Sequence, residues 1–365
     1  MKRIGVMLRA MDERQGIGIY STNLIDKLLA IDQTNEYVLF YGNPSFYGRY
    51  AQYNNVKETV VPVRNKALWD QIIIPGMAKR ENLDLLFHTK FTVPFLANCK
   101  TVMTIHGASW FVHPHLYKRL DIMYIRAMMP LYCRKADLIL SNSQLTTNDF
   151  VQLLHVPREK IRTIPLGTDN SFRVIEDQSA LERIKAKYRL PEKFILSVIK
   201  HDPRKNFKNL IAAFRILRAR IPCKLVVIGI GCEKYIDEYR LRDDRICDDV
   251  LFTGWVEHTE LPAFYNLATC MFFPSVYEEF GIPSCEAMAC GCPPVVSNTG
   301  ALPENVGDAG ITVDPFKPKE MADALEKLYN DESLRAEYAA KCLVRAKYFT
   351  WERCAGDTLE ALHSI

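Results

Sequence analysis

Cys270-Met271-Phe272-Phe273-Pro274-Ser275-Val276-Tyr277-Glu278-Glu279-Phe280-Gly281-Ile282-Pro283-Ser284-Cys285-Glu286-Ala287-Met288-Ala289-Cys290-Gly291 is the stretch from which the fold can be read. Its first five residues are continuously apolar, as in a strand covered on both faces. Its last residues are small and predict a helix packed closely on its neighbours. Glu278 therefore follows the strand, and Glu286 falls in the first turns of the helix. Between them, Gly281 and Pro283 mark a helix start, where backbone N–H groups have no intrahelical partner. Such an end suits anionic or hydroxyl-rich ligands, and two carboxylates beside it can accept hydrogen bonds from sugar hydroxyls. The combination reads as a site for a phosphorylated sugar.

Working outward, short β-like runs alternate with helical ones along the chain. The first half has strands expected over 3–8, 36–41, 58–62, 83–88, 100–105, 138–141 and 160–164, with helices over 18–30, 68–81, 116–134 and 146–154. The turn residues of 165–172 mark a domain exit, and the charged stretch 175–190 follows. A second series has strands over 194–199, 223–229, 250–253, 270–274 and 294–297. Its helices are expected over 206–220, 260–268, 284–290, 318–330 and 333–349, with a last helix over 350–364. A βαβ series implies a parallel sheet with helices on its faces. The expected fold is α/β, with one domain over residues 1–170 and a second over 171–349.

Composition sets the class. The 365 residues are 48% hydrophobic and 25% charged, as in a globular chain long enough for two such domains. No apolar run of about 18 residues is present, so no membrane span is expected. Met1-Lys2-Arg3 leads directly into the first strand, which predicts a cytoplasmic protein. The eleven cysteines lack C-x-x-C spacing and read as reduced, packed thiols, not as metal or disulfide sites. Residues 1–170 hold 21 Lys and Arg against 14 Asp and Glu, a balance of +7, whereas 171–365 balance at −3. The basic half suits an anionic acceptor or an anionic membrane surface, or is simply a solvated basic face. The segment 110–135 sharpens that expectation: Lys118, Arg119, Arg126, Arg134 and Lys135 oppose only Asp121 among aromatic and apolar residues. Nothing indicates a nucleic-acid partner.

Lys200 and Lys205 flank a loop after the 194–199 strand, where two cations suit a diphosphate. Gly16-Ile17-Gly18 with Ser21 nearly fits a dinucleotide fingerprint. The loop from Arg9 to Gly16 is too long for that tight turn, however, and Leu39-Phe40-Tyr41-Gly42-Asn43 brings no acid to a ribose. A nicotinamide oxidoreductase is disfavoured on that ground. Gly229-Ile230-Gly231 reads as a turn. His106 ends an apolar strand and is expected to point into a cleft.

Taken together, Glu278 and Glu286 around Phe280-Gly281-Ile282, the segment 198–206, Leu251-Phe252-Thr253-Gly254-Trp255-Val256, Gly16-Ile17-Gly18 and Thr104-Ile105-His106 resemble the family-4 retaining glycosyltransferases. The resemblance implies the GT-B architecture, two Rossmann-like domains facing a cleft, with helix 350–365 returning to the first. It implies a hexosyltransferase that moves a glucose- or mannose-type sugar from a UDP- or GDP-sugar to a glycan or lipid-linked glycan. It implies no cofactor and no metal. By resemblance Glu286 binds the ribose and Glu278 lies at the donor sugar, with His106 near the transferred sugar. Lys200, Lys205 and Gly16 meet the diphosphate, the amides of Phe280, Gly281 and Ile282 hold sugar or phosphate, and Val256 and Leu261 lie at the base. The chain has Ile199-Lys200 where the family usually has Gly-Arg, His106-Gly107 where it has His-Asp, and Glu279 where a small residue is usual. An epimerase or phosphorylase on the same architecture, or a non-catalytic nucleotide-sugar binder, are the rival expectations.

Overall fold

The computed structural model describes residues 1–13, 16–62, 65–243 and 245–365. The chain divides into two compact units, Met1–Gly167 with Trp351–Ile365, and Thr168–Thr350. The first unit thus ends at Gly167, where an exit was expected at 170.

The first unit is built on seven parallel strands: β1 (Arg3–Met7), β2 (Glu36–Tyr41), β3 (Val56–Val60), β4 (Leu85–His88), β5 (Lys100–Ile105), β6 (Leu138–Ser141) and β7 (Ile161–Thr163). Their order is β3-β2-β1-β4-β5-β6-β7. The central strands are buried throughout or nearly so, which is why they read as continuous apolar runs. β3 lies two residues earlier than expected because it follows the register of β2, with Tyr37 opposite Val56 and Tyr41 opposite Val60. The helix expected over 68–81 is interrupted: a π-helical turn at Trp69–Ile73 separates Lys66–Leu68 from Ile74–Arg80. Pro75 has no N–H to give the ladder there, so the preceding turn widens. Likewise the helix expected over 116–134 begins only at Arg119, after a short turn at Pro114–Leu116.

Helix Trp351–His363 belongs to this first unit. Trp351 is buried, its ring centroid 6.3 Å from that of Tyr20 on helix Ile17–Ile31. Lys27 and Glu352 pair at 2.7 Å, and Lys2 Nζ donates to the Leu362 carbonyl at 3.0 Å.

The second unit has six parallel strands: β8 (Ile195–Val198), β9 (Leu225–Ile228), β10 (Val250–Gly254), β11 (Cys270–Phe273), β12 (Pro294–Ser297) and β13 (Ile311–Val313). The order β10-β9-β8-β11-β12-β13 reverses direction between β8 and β11. Ligands of open α/β sheets bind outside the carboxyl ends of the strands at such a reversal. β13 was not expected, nor was helix Gln178–Tyr188, which Asp177 caps through the Ser179 and Ala180 amides. All eleven cysteines are free, and all but Cys99 and Cys247 are buried. Among the described residues, no helix is long and apolar enough to cross a membrane.

Candidate functional site

The loop leaving β8 is fixed before any ligand arrives. Asp202 accepts from the Arg204 amide at 2.9 Å and from the Arg204 guanidinium at 3.0 and 3.3 Å, closing a turn at Pro203–Lys205. Asn206 then takes a left-handed backbone (φ 57°) that few residues other than Gly, Asn and Asp accept readily. Its side-chain amide donates to the carbonyls of Pro274 at 3.0 Å and Pro315 at 2.7 Å. The Val276 amide bonds back to the Arg204 carbonyl at 2.8 Å. The cationic loop after β8 is thereby clipped to the chain leaving β11, across the reversal of the sheet.

That clip brings together Lys205 and Glu278. Lys205 Nζ lies 2.5 Å from Glu278 Oε1, and the two side chains are only 13% and 11% exposed. Arg204 and the neighbouring acid Glu279 approach to 3.5 Å. The two adjacent glutamates are therefore sorted by partner, Glu278 to Lys205 and Glu279 to Arg204. Lys200 stands half exposed, 3.8 Å from Asp202.

Glu278 is held from behind by backbone. The Ala301 amide donates to its carbonyl at 2.9 Å, and Gly300 (φ 68°) packs so closely that a Cβ there would lie 2.7 Å from the Glu278 nitrogen. Past Glu278, Phe280 turns its ring inward against Phe349, leaving its backbone as the group it can offer. Asn305 fixes the Phe280 carbonyl through its side-chain amide at 2.5 Å. Gly281 (φ 92°) caps helix Ile282–Ala289, and Ser284 Oγ donates to the Gly281 carbonyl at 2.8 Å. Of this first turn, Pro283 has no N–H and the Ser284 amide donates to the Gly281 carbonyl at 3.0 Å, which leaves the Ile282 amide at the helix start.

Glu286, on the same helix, keeps part of its surface open yet is ringed by protein. Desolvation pushes its carboxyl up to about 7, Tyr265 pulls it back by donating its phenol to Oε2 at 2.9 Å, and Asp169 adds to the rise. Val256, after β10, is buried, whereas Trp255 beside it is 57% exposed. Leu261 opens helix Leu261–Leu267, which also carries Tyr265.

The remaining two expected residues, Gly16 and His106, belong to the first unit. Gly16 (φ 49°) precedes helix Ile17–Ile31, while Arg14 and Gln15 of its loop lie outside the described residues. His106 follows β5 and sits edge-on to Tyr20, ring centroids 4.8 Å apart. Its Nε2–H donates to the Thr89 carbonyl at 2.9 Å. Burial lowers its pKa to about 4, so the ring is neutral near pH 7 and presents Nδ1 as an acceptor. A general acid at neutral pH is not what this environment makes. His201, another histidine of the cationic loop, pairs with Glu238 at 2.8 Å.

Sequence reasoning missed Asp202, Asn206, Gly300 and Tyr265. Asp-Pro before a cationic run is a readable turn signal. Asn206, Gly300 and Tyr265 carried no signal separate from ordinary loop and helix residues.

Two family models match the chain. Residues 15–172 match Glycosyltransferase Family 4, and residues 180–342 match Glycosyl transferases group 1. O-antigen chain mannosyltransferase B of Escherichia coli is 28% identical over 95% of both chains. Serotype-specific mannosyltransferase WbdA of the same species is 32% identical over 60% of this chain and 28% of its own length. Among solved structures, Anabaena Alr3699/HepE in complex with UDP and glucose superposes over 100% of both chains, with a TM-score of 0.78 and 18% identity. WaaG, a glycosyltransferase involved in lipopolysaccharide biosynthesis, covers 97% of this chain and 99% of its own at a TM-score of 0.72 and 15% identity. Those two structures bear on the fold, and the two family models, neither of which spans half of the sequence alone, make the chain similar to glycosyltransferases in both of its halves.

Proposed function

We propose that the chain is a retaining hexosyltransferase of polysaccharide biosynthesis. It moves a mannose- or glucose-type sugar from a UDP- or GDP-sugar to a glycan or lipid-linked glycan. The observation that carries this reading is the Lys205–Glu278 pair at the β8/β11 reversal, beside the helix start at Gly281. The mannosyltransferase relatives support a sugar donor and a glycan acceptor, and the UDP-bound neighbour supports a nucleotide diphosphate.

In this mechanism the bond between sugar C1 and the β-phosphate oxygen breaks while the acceptor hydroxyl attacks the same face. The hydroxyl proton passes to the departing phosphate oxygen, so no protein base is required. Negative charge grows on the diphosphate, and Lys205, Lys200 and the amides of Phe280, Gly281 and Ile282 meet it. Charge stabilisation that strengthens towards the transition state is the kind that raises turnover. These lysines supply the positive charge that a divalent ion would otherwise bring, and no metal or other cofactor is assigned. At rest Lys205 is neutralised by Glu278. The arriving diphosphate draws the ammonium towards itself, and Glu278 is left free to accept from a donor-sugar hydroxyl. Glu286 accepts from the ribose. Val256 and Leu261 border the base.

The test is thermal-shift screening with UDP- and GDP-sugars, followed by NMR of the product anomer with a glycan acceptor. A matched donor at a hundredfold excess over Kd stabilises by about 2.7 kcal/mol. Inversion at C1, sugar epimerisation without an acceptor, or a strict need for added Mg²⁺ each overturns part of this reading.

The acceptor side extends to a lipid surface. On helix Arg119–Lys135, Leu120 (78% exposed), Met123, Tyr124 and Leu131 share one exposed stripe, flanked by exposed Lys118, Arg119, Arg126 and Arg134. An apolar stripe edged by cations fits an anionic bilayer, where each cation near the surface contributes about 1 kcal/mol. Co-sedimentation with anionic vesicles should weaken with salt and be lost in the triple variant Lys118→Glu, Arg119→Glu, Arg126→Glu, with nucleotide binding intact. No binding at low salt would make this a solvated face.

A further inference from the structure

Glu286 does not set its own direction. The Tyr265 side chain is fully buried, and its ring packs against that of Phe172, centroids 6.0 Å apart at 63°. Phe172 in turn packs against His258 at 5.1 Å. The ring thus has little freedom, and its hydroxyl ends 2.9 Å from Glu286 Oε2. Among the described residues, that phenol is the one hydrogen-bond donor to the Glu286 carboxylate, and Oε1 receives none. A donor fixed on one oxygen sets the plane of the carboxylate and leaves the other oxygen as the acceptor.

We propose that Tyr265 is a positioning residue for the donor nucleotide: it holds Glu286 so that Oε1 alone faces the vicinal hydroxyls of the ribose. This rests on the reading of Glu286 as the ribose ligand.

The surroundings make the phenol more than a spacer. Burial and the adjacent carboxylate hold Tyr265 far above its usual range, so it remains a neutral donor throughout the working pH. The groups facing Glu286 are Asp169 from the start of the unit, Tyr265 from helix Leu261–Leu267, and the thiols of Cys285 on its own helix and Cys290 just after it. Both thiols are raised by burial and stay neutral, and the Arg345 guanidinium bears on Cys285. No cation neutralises the Glu286 carboxylate in this set, so the tyrosine is its stabilising contact. Without the phenol, Glu286 keeps its proton to higher pH and its orientation is lost. A protonated carboxyl with a free rotor is a poorer acceptor for two neighbouring hydroxyls.

The experiment uses the full chain, with UDP and GDP and their 2′- and 3′-deoxy forms as probes, titrated calorimetrically from pH 5.5 to 8.5. Tyr265→Phe is expected to weaken the better ribonucleotide about 3- to 10-fold at pH 7, and to move the acid limb of binding upward. KM for the sugar donor rises while kcat changes little, and the penalty shrinks when the hydroxyl facing Oε1 is absent. Glu286→Gln, which cannot ionise, is expected to abolish the acid limb. If Tyr265→Phe keeps the parent's affinity and limb while Glu286→Ala weakens binding, the positioning role fails and the ribose reading stands. If Glu286→Ala is also without effect, the ribose reading fails. A lowered melting temperature with an unmoved limb assigns Tyr265 to packing alone and likewise overturns the proposal.

Discussion

Replacing Gly300 by alanine tests the support behind Glu278 without changing any side chain assigned to substrate. Gly300 has φ 68°, and an added Cβ would meet the Glu278 nitrogen at 2.7 Å and its carbonyl oxygen at 2.8 Å. Both are backbone atoms, so neither can swing aside as a side-chain tip would. The left-handed conformation costs an L-residue roughly 1–2 kcal/mol. Overpacking a filled site adds about 1–3 kcal/mol, for a total on the order of 2–5 kcal/mol. Gly254→Ala is the internal control: its φ is 69°, in the same unit, but nothing lies within 4 Å of the new Cβ. It should show the conformational cost alone. With two units the chain need not unfold in one step, so amide exchange of β11 and β12 under increasing denaturant is the appropriate measurement. Gly300→Ala should also lower turnover more than donor affinity, because Glu278 shifts with its backbone. If Gly300→Ala destabilises the second unit no more than Gly254→Ala, the close approach is not what seats Glu278.

Glu286→Gln should change the pH dependence of stability. A carboxyl raised from 4.5 to about 7 in the folded chain makes the native state bind more protons than the unfolded one. The parent therefore loses stability as pH rises from the unfolded value through about 7, and the variant escapes that loss. The gain should approach a ceiling of about 3 kcal/mol at pH 8 and be small at pH 5, read as the difference in denaturation midpoint. A pH-independent effect would place the Glu286 carboxyl in water. Lys205→Ala leaves Glu278 buried without its cation, which should cost about 3–5 kcal/mol of stability. The double variant with Glu278→Ala should recover part of that loss, whereas turnover should fall about 10²- to 10³-fold in either case. Strict additivity of the two substitutions would contradict the pair.

What could be read from the residues alone follows from where the apolar ones lie. β9 and β11 are buried throughout, so each is a short unbroken apolar run, and β1 and β8 come close, with Gly5 and Ser197 the small residues inside them. β13 escaped because Ile311-Thr312-Val313 is three residues long, partly open, and interrupted by a Thr. Helix Gln178–Tyr188 escaped because only Leu181 is buried, so its apolar period is almost empty and its Asp177 cap was the remaining signal. The same contrast runs through the site. Glu278, Glu286 and Lys205 could be named because each stands beside a strand end or helix start with its own pattern. Their partners could not. Tyr265 is an aromatic on a packed helix face like many others, and what distinguishes it is the carboxylate 2.9 Å from its hydroxyl. Gly300 resembles any turn glycine until the Glu278 backbone is seen against it.

The return of Trp351–His363 to the first unit has a consequence for how the chain is made. The ribosome delivers residues 1–167 long before 351–365, so the face of helix Ile17–Ile31 that receives Trp351 stays uncovered while the whole second unit is synthesised. The second unit is continuous and can close on itself as it emerges. The first must wait for contacts such as Lys2 with Leu362, separated by 360 residues. Contacts of such long range form slowly, and the intermediate that waits for them shows apolar surface. A nascent chain halted after the second unit would hold one finished domain and one unfinished one, so vectorial synthesis makes the first half the later of the two to mature.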